Sequence, residues 1–185
     1  FIEDQKEINN DFQEKYGSWL QSANSAYPNI VSISAAKRNN LALLIDGVAK
    51  TQISTLIIAP NSKVDLPREA SDIFLYRNFV FSEVRDILDT KNNIIGFIGH
   101  ENVSIPTSLY MYASYNIPII AFDTEPVNSI LTMYQLGISI KNSEELEKAY
   151  HMILDDYDIY AENAVLFLNE NSWVKSALVH RDIFV

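Results

Sequence analysis

Short runs of β-branched and apolar residues alternate with helical patterns along most of this chain, and this alternation limits its fold more than any other feature. Several runs are apolar on both faces, which is typical of strands in a parallel sheet that helices cover on both sides. The runs that predict strands are residues 30–33, 55–58, 73–76, 94–98, 117–122 and 137–140. The patterns that predict helices are residues 38–50, 82–90, 107–115, 127–134 and 143–154. We therefore expect a doubly wound, Rossmann-like α/β domain, with a parallel sheet of about six strands and helices on both faces.

The two ends of the chain carry helical patterns outside this alternation. Residues 1–27 have apolar side chains at spacings of three and four and stop at Pro28, which predicts an N-terminal connector helix ahead of a domain over 28–185. The tail over 159–185 predicts one or two helices broken near residues 169–172, and the acidic run 155–158 predicts a break between two helices. Ser143, which acidic residues follow, is expected to cap the helix that it opens.

Composition excludes several classes of function. The 185 residues carry 14 Lys and Arg against 24 Asp and Glu, a net charge of −10, which argues against binding nucleic acid through clustered positive charge. The chain has no cysteine, so disulfides, thiolate metal sites and cysteine nucleophiles are excluded. No apolar run approaches the roughly 20 residues of a membrane-spanning helix, and no signal-peptide pattern is present. We expect a cytoplasmic protein, free or at the inner membrane surface, and, because the sequence opens with Phe1, a piece of a longer chain.

The glycine pattern excludes the commonest phosphate-binding loops. With five glycines in the chain, neither a G-x-G-x-x-G fingerprint nor a Walker A loop can be written. Gly96 and Gly99 flank the end of a predicted strand, where close packing and a turn are their simplest roles. His100 follows at the same strand end and is a candidate substrate contact. No catalytic arrangement stands out, so the catalytic residues stay unknown.

Ligands of a doubly wound sheet bind beyond the carboxyl ends of the strands, where the following helices begin. The helical pattern at 107–115 opens at such a junction with Pro106, Thr107 and Ser108. Hydroxyls and unpaired backbone N–H groups there would bind an anion, although a plain capped helix explains the same residues. Glu101 and Glu125 fall on the same edge, where solvation or a charge at a helix N-terminus is their simplest role.

Several segments follow one another in a characteristic order. In residues 112–120 a helix leads through Asn-Ile-Pro into a strand, and the segments 128–130, 136–140 and 143–146 come next. Residues 32–41 and 44–49 supply a strand, a loop that bears a lysine, and a helix. In this order they resemble the C-terminal, nucleotide-sugar-binding half of bacterial glycosyltransferases with the GT-B fold, over about residues 29–175. Residues 107–110 are most similar to transferases that modify serine-rich surface glycoproteins or build galactofuranose-type polysaccharides.

The resemblance implies contacts to a donor substrate, a UDP-sugar or another nucleotide sugar. Lys37 or Arg38 would face the donor diphosphate, and Thr107 and Ser108 would donate hydrogen bonds to its oxygens. Neither a metal nor a cofactor is implied, because positive side chains and helix termini can neutralise the leaving diphosphate. The implied partner is a missing N-terminal domain that binds the acceptor, without which this hexosyltransferase-type fragment would be inactive. Homo-oligomerisation stays open.

Some positions depart from the family pattern. Pro106 stands where a lysine usually precedes the threonine, and Val103 and Met111 stand where many retaining members carry an acidic pair. Either Glu101 and Glu125 take over the sugar contacts, or catalysis has been lost. Two functions follow: the donor-binding half of a glycosyltransferase that acts on a glycan or glycoprotein, as in polysaccharide biosynthesis, and a non-catalytic glycosyltransferase-like module that supports a partner enzyme.

Overall fold

The computed structural model describes residues 17, 19, 29–33, 40–51, 53–60, 65–67, 70–77, 81–89, 94–101, 104–172 and 175. Lys37, Arg38, Val103 and most of the predicted connector helix lie outside the described residues. The predictions made for them, and the division of the chain at residue 28, therefore stay predictions.

Strands and helices alternate in the described residues in the order that the sequence predicts. The strands are β1 Asn29–Ile33, β2 Thr55–Ile58, β3 Ile73–Tyr76, β4 Ile94–Ile98, β5 Ile119–Phe122 and β6 Gly137–Ile140. The helices are α1 Leu41–Val48, α2 Phe81–Leu88, α3 Thr107–Ser114, α4 Val127–Tyr134, α5 Leu146–Asp155 and α6 Tyr157–Glu170, with a 3₁₀ turn at Ser143–Glu145 before α5. The predicted break at 155–158 is confirmed, because α5 and α6 meet there.

All six strands are parallel and lie in the order β3-β2-β1-β4-β5-β6. The chain leaves β1 towards β2 and β3 and then returns to β4 on the other side of β1. Ser32 of β1 is paired with Phe97 of β4 near the carboxyl ends of the two strands. The predicted doubly wound α/β fold is confirmed, and β1 and β4 form its topological switch point.

Two apolar layers cover the sheet because successive side chains of each strand point to opposite faces. Ile30, Ile57 and Ile95 pack against α1 and α5 on one face. On the other face, Val31 and the alternate residues of its neighbours pack against α2, α3, α4 and α6. This second layer also contains Trp19, which is fully buried.

Two of the shifted element boundaries differ from the prediction because polar groups set where the element begins. α1 begins at Leu41, not at residue 38, and Asn40 is its N-cap, with Oδ1 accepting a hydrogen bond from the Leu43 N–H at 3.2 Å. β5 begins at Ile119, because the Ile117 N–H still bonds the Tyr112 carbonyl in the turn that follows α3. Asn116 makes that turn with φ 56°, a left-handed conformation that asparagine tolerates better than most residues.

The expected capping role of Ser143 is wrong. The cap is Asn142, whose Oδ1 accepts a hydrogen bond from the Glu144 N–H at 3.0 Å. The Ser143 hydroxyl donates instead to the carboxylate of Asp46 on α1. A residue one position earlier thus satisfies the helix start, and Ser143 links two helices on the same face of the sheet.

Within the described ranges, no helix is long and apolar enough to cross a bilayer.

Candidate functional site

The candidate site is the crevice at the carboxyl ends of β1 and β4. The segment after β1 leads to α1, and the segment after β4 leads to α3, so both helices begin at this edge of the sheet. The Asn40 N–H donates to the Gly99 carbonyl at 2.7 Å and joins the two segments directly. Residues 34–39, which carry the predicted cations, follow β1 here and lie outside the described residues.

Thr107 and Ser108 form the first turn of α3, as the sequence predicts. Pro106 precedes them in an extended conformation, with φ −71° and ψ 143°, and no side chain of a described residue caps the helix. Thr107 is exposed and Ser108 is half-buried. The first N–H groups of a helix have no partner within it, and its dipole places partial positive charge at this end. The start of α3 can therefore receive an anion.

The other two helices that begin near the crevice already have acceptors at their first turns. Asn40 caps α1, and on α4 the Glu125 carboxylate accepts from the Ser129 hydroxyl at 2.6 Å and from the Ser129 N–H at 3.4 Å. Glu125 thus takes the second of its expected roles, a negative charge at the start of a helix. Any sugar contact by Glu125 would have to compete with these bonds.

His100 lies at the carboxyl end of β4, as predicted, and is half-buried. Its Nε2 is 2.8 Å from the Ser104 hydroxyl, and its carbonyl accepts from the Thr124 hydroxyl at 2.9 Å. The ring is therefore held within its own loop, while Thr124 braces that loop from the next strand along the edge.

Acidic groups outnumber cations on the described part of this edge around β4, β5 and β6. Glu101 is exposed after β4, and Asp123 and Glu125 follow β5. The cation nearby is Lys141 after β6, whose Nζ lies 3.9 Å from an Asp123 oxygen. Because like charges repel, a diphosphate here needs more positive charge than these residues supply. The start of α3 supplies part of this charge, and the predicted cations Lys37 and Arg38 lie outside the described residues.

Tyr112 makes a long-range contact between α3 and β1 that the sequence reasoning missed. Its side chain is fully buried beneath α3, and its hydroxyl donates to the Val31 carbonyl at 2.9 Å and accepts from the Ile33 N–H at 3.0 Å. Burial raises the pKa of this phenol, and the hydrogen bond from Ile33 partly opposes that rise. The sequence signals the close approach of the ring through Gly96, where a Cβ would lie 2.6 Å from it, but not the hydrogen bonds to β1.

A cavity of about 540 Å³ lies elsewhere, along the sheet edge at β6. Its lining includes Gln135 and Gly137 near the start of the strand, and Asp156 and Tyr160 where α5 meets α6. The carboxylate of Asp156 makes this cavity unsuited to a phosphate.

Within the part of the chain that the structure describes, no group of three or more His, Asp or Glu side chains could hold a metal ion.

Known structures with a similar fold include three at low sequence identity. HepE from Anabaena, in complex with UDP, has a TM-score of 0.64 and 12% identity over 96% of this chain and 53% of its own. WaaG, a glycosyltransferase involved in lipopolysaccharide biosynthesis, has a TM-score of 0.60 and 13% identity over 88% of this chain and 47% of its own. The glycosyltransferase SnogD from Streptomyces nogalater has a TM-score of 0.51 and 16% identity over 83% of this chain and 43% of its own.

These similarities establish a fold shared with glycosyltransferases. The chain spans about half the length of these structures. HepE is also known in complex with UDP-glucose, and that structure has a TM-score of 0.57 to this chain at 13% identity, over 84% of this chain and 46% of its own. Neither a protein-family model nor a curated protein sequence matches the chain.

Proposed function

We propose that this chain is the nucleotide-sugar-binding domain of a GT-B glycosyltransferase, and that the donor diphosphate binds at the start of α3. The observation that carries the proposal is the first turn of α3, which no side chain of a described residue caps and which begins at the switch point of the sheet. The fold is similar to that of HepE, which is known in complex with UDP. Phosphates bind at such helix starts because the N–H groups and the dipole both favour negative charge. Thr107 and Ser108 add hydroxyl donors to the same turn.

The proposal assigns the balancing charge to Lys37 or Arg38. These residues lie in the segment between β1 and α1, and Asn40 at its end is joined to the loop after β4. The acidic groups after β4 and β5 support this assignment, because a diphosphate bound beside them needs added positive charge. The donor would be a UDP-sugar or a related nucleotide sugar, and no metal or cofactor is required. The acceptor, a glycan or glycoprotein, would be held by a further domain, so the chain by itself should bind donor and transfer nothing.

A non-catalytic module that supports a partner enzyme is the second candidate. One observation favours it: Met111 occupies a position at which the resemblance expects a carboxylate, and it packs as a half-buried apolar side chain against the core. Glu125, which could have supplied a substitute, is engaged with Ser129. A module of this kind would keep the fold and lose the affinity for nucleotide.

Calorimetric titration with UDP and UMP tests the proposal. The wild-type chain should bind UDP more tightly than UMP, because the second phosphate meets the start of α3. Charge-assisted hydrogen bonds contribute about 1.5–3 kcal/mol each, so K37A should weaken UDP binding by about 10- to 150-fold. T107A should cost less, because the backbone donors of α3 remain.

The matched control is K50A, which removes the same charge at the other end of α1. The Lys50 ammonium is exposed and bonds Asp46 at 3.0 Å, remote from the crevice. Its loss should leave the UDP affinity within about twofold of the wild type. Equal affinities for UDP in wild type, K37A and T107A would remove the proposed site. If the folded wild-type chain binds no nucleotide at all, the non-catalytic module becomes the better explanation.

A further inference from the structure

Tyr112 joins the two elements that carry the proposed donor site. α3 begins five residues before it with Thr107, and β1 ends at Ile33 and leads into the segment of Lys37 and Arg38. We propose that Tyr112 is a positioning residue of the donor crevice, whose hydroxyl fixes the start of α3 relative to the carboxyl end of β1. This inference rests on the proposed function and adds to it a residue that would not touch the ligand.

The hydroxyl of Tyr112 is both a hydrogen-bond donor and an acceptor to the backbone of β1. It donates to the Val31 carbonyl at 2.9 Å and accepts from the Ile33 N–H at 3.0 Å, so one phenol binds two groups of the same strand end. The side chain is fully buried, and water cannot replace either bond without opening the layer. Removing the oxygen would take away one hydrogen bond from the Val31 carbonyl and one from the Ile33 N–H, at the carboxyl end of β1.

The ring of Tyr112 is closely packed as well. It lies directly on the backbone of β4 at Gly96, where a Cβ would come within 2.6 Å of two ring atoms. Leu109 and Ala113, its neighbours along α3, are buried in the same layer. Because a helix rises about 1.5 Å per residue, an anchor at Tyr112 controls the position of Thr107 about 7–8 Å away. Tyr112 of α3 therefore contacts both strands of the switch point.

Tyr157 provides a matched control in the same sheet. Its hydroxyl donates to the Ile94 carbonyl at 2.8 Å and accepts from the Ile94 N–H at 3.2 Å. Ile94 is the first residue of β4, so this phenol makes the same pair of bonds at the amino edge of the sheet, opposite the crevice. Tyr112 thus bonds the carboxyl end of β1 and Tyr157 the amino end of β4, and Tyr157 is remote from the proposed ligand.

The test compares UDP binding by wild type, Y112F and Y157F, with urea unfolding of each. Both substitutions should lower the urea midpoint, because each removes two hydrogen bonds between a tyrosine hydroxyl and the backbone of a strand. Y112F should also weaken UDP binding by at least about fivefold, the lower end of typical coupling between linked sites, whereas Y157F should stay within about twofold of wild type. Equal losses of affinity in the two variants, or wild-type affinity in Y112F, would overturn the proposal.

Amide hydrogen exchange without ligand separates this inference from the proposed function. Y112F should speed exchange at Ile33 and in the first turn of α3, and Y157F should speed it at Ile94. If the wild type binds no UDP, the proposed function fails, and the exchange data alone decide whether Tyr112 positions α3. Unchanged exchange at Ile33 and Leu109 in Y112F would overturn that role.

A measurement on the wild type covers the case in which Y112F does not fold. Linkage is reciprocal: if the hydrogen bonds from Tyr112 to β1 strengthen UDP binding, UDP must strengthen these hydrogen bonds. Saturating UDP should therefore slow exchange of the Tyr112 hydroxyl proton and leave that of Tyr157 unchanged in the NMR spectrum. The same rate at Tyr112 with and without UDP would contradict the proposal.

Discussion

Asp46 shows how one exposed carboxylate can connect two helices. It accepts hydrogen bonds from Ser143 and from Lys50, and these bonds lower its pKa below the ordinary value of 3.8, with Ser143 the larger cause. We expect S143A to raise the pKa of Asp46 towards 3.8 and K50A to raise it less. Carbon-13 NMR titration of the Asp46 carboxyl in the three proteins measures this order directly.

The lowered pKa of Asp46 also has a consequence for stability. A carboxyl whose folded pKa lies below its unfolded pKa stabilises the protein above the unfolded pKa, near 4, and loses this contribution as the pH falls through the folded value. Urea midpoints between pH 2 and 6 should therefore fall less steeply on the acid side in D46N than in wild type. Parallel profiles for the two proteins would show that Asp46 is not linked to folding.

Single residues were predictable from the sequence where one polar group has no competitor. Pro106, Thr107 and Ser108 open α3 as expected, because proline cannot continue a strand ladder and hydroxyl residues suit helix starts. The prediction that Ser143 caps the helix was wrong because its neighbour Asn142 is an equally good cap and accepts from the Glu144 N–H. Adjacent residues with similar propensities leave such assignments to the tertiary contacts, here the Asp46 carboxylate on a distant helix.

The element that most directly supports α3 and α4 from outside is α6. Phe167 of α6 is fully buried, and its ring lies 5.4 Å from that of Tyr110 on α3 and 5.0 Å from that of Tyr134 on α4, the latter edge-on. We expect F167A to destabilise the chain by about 3–5 kcal/mol, because the cavity opens between three helices. Urea unfolding followed by circular dichroism measures the loss.

The adjacent residue gives the control for this prediction. Leu166 is 60% exposed on the same helix. The substitution L166A therefore changes the helix propensity and shortens the side chain without opening a cavity. Its effect should stay within about 0.5 kcal/mol. A similar loss in L166A and F167A would mean that α6 contributes through its own helical stability and not through packing against α3 and α4.

At the level of elements, β-branched runs predicted the strands because a buried parallel strand must be apolar on both faces. The boundaries of four strands agree with the structure, and β5 is shorter than predicted because Ile117 belongs to the turn after α3. The hydrogen bonds from Tyr112 to β1 could not be predicted in the same way. Its partners are 79 and 81 positions away, and no local pattern distinguishes a tyrosine that fills a core from one that binds a strand.

For the whole molecule, the alternation of strands and helices predicted the crevice edge, since every parallel strand ends there. Which strands flank the crevice depends on their order, and that order follows from long-range pairing between β1 and β4 across more than sixty residues. The candidate site was therefore predictable as a set of junctions, with Thr107, Ser108 and His100 at the expected edge. The phosphate-binding roles of Lys37 and Arg38 stay predictions that the UDP titrations decide.

Trp19 extends the core beyond the α/β alternation. It is helical and fully buried, and it belongs to the apolar layer that also contains residues of α3 and α6. We expect W19A to cost about 3–5 kcal/mol, as for other large core side chains reduced to alanine, which corresponds to a fall in Tm of about 6–20 °C for a chain of this size. Deletion of residues 1–25 should produce at least the same fall, because it removes this side chain. W19F, which keeps an aromatic ring in the layer, should recover much of the loss. Calorimetric melting of the four proteins measures these differences, and a deletion variant that melts with the wild type would show that residues 1–25 contribute nothing to the core.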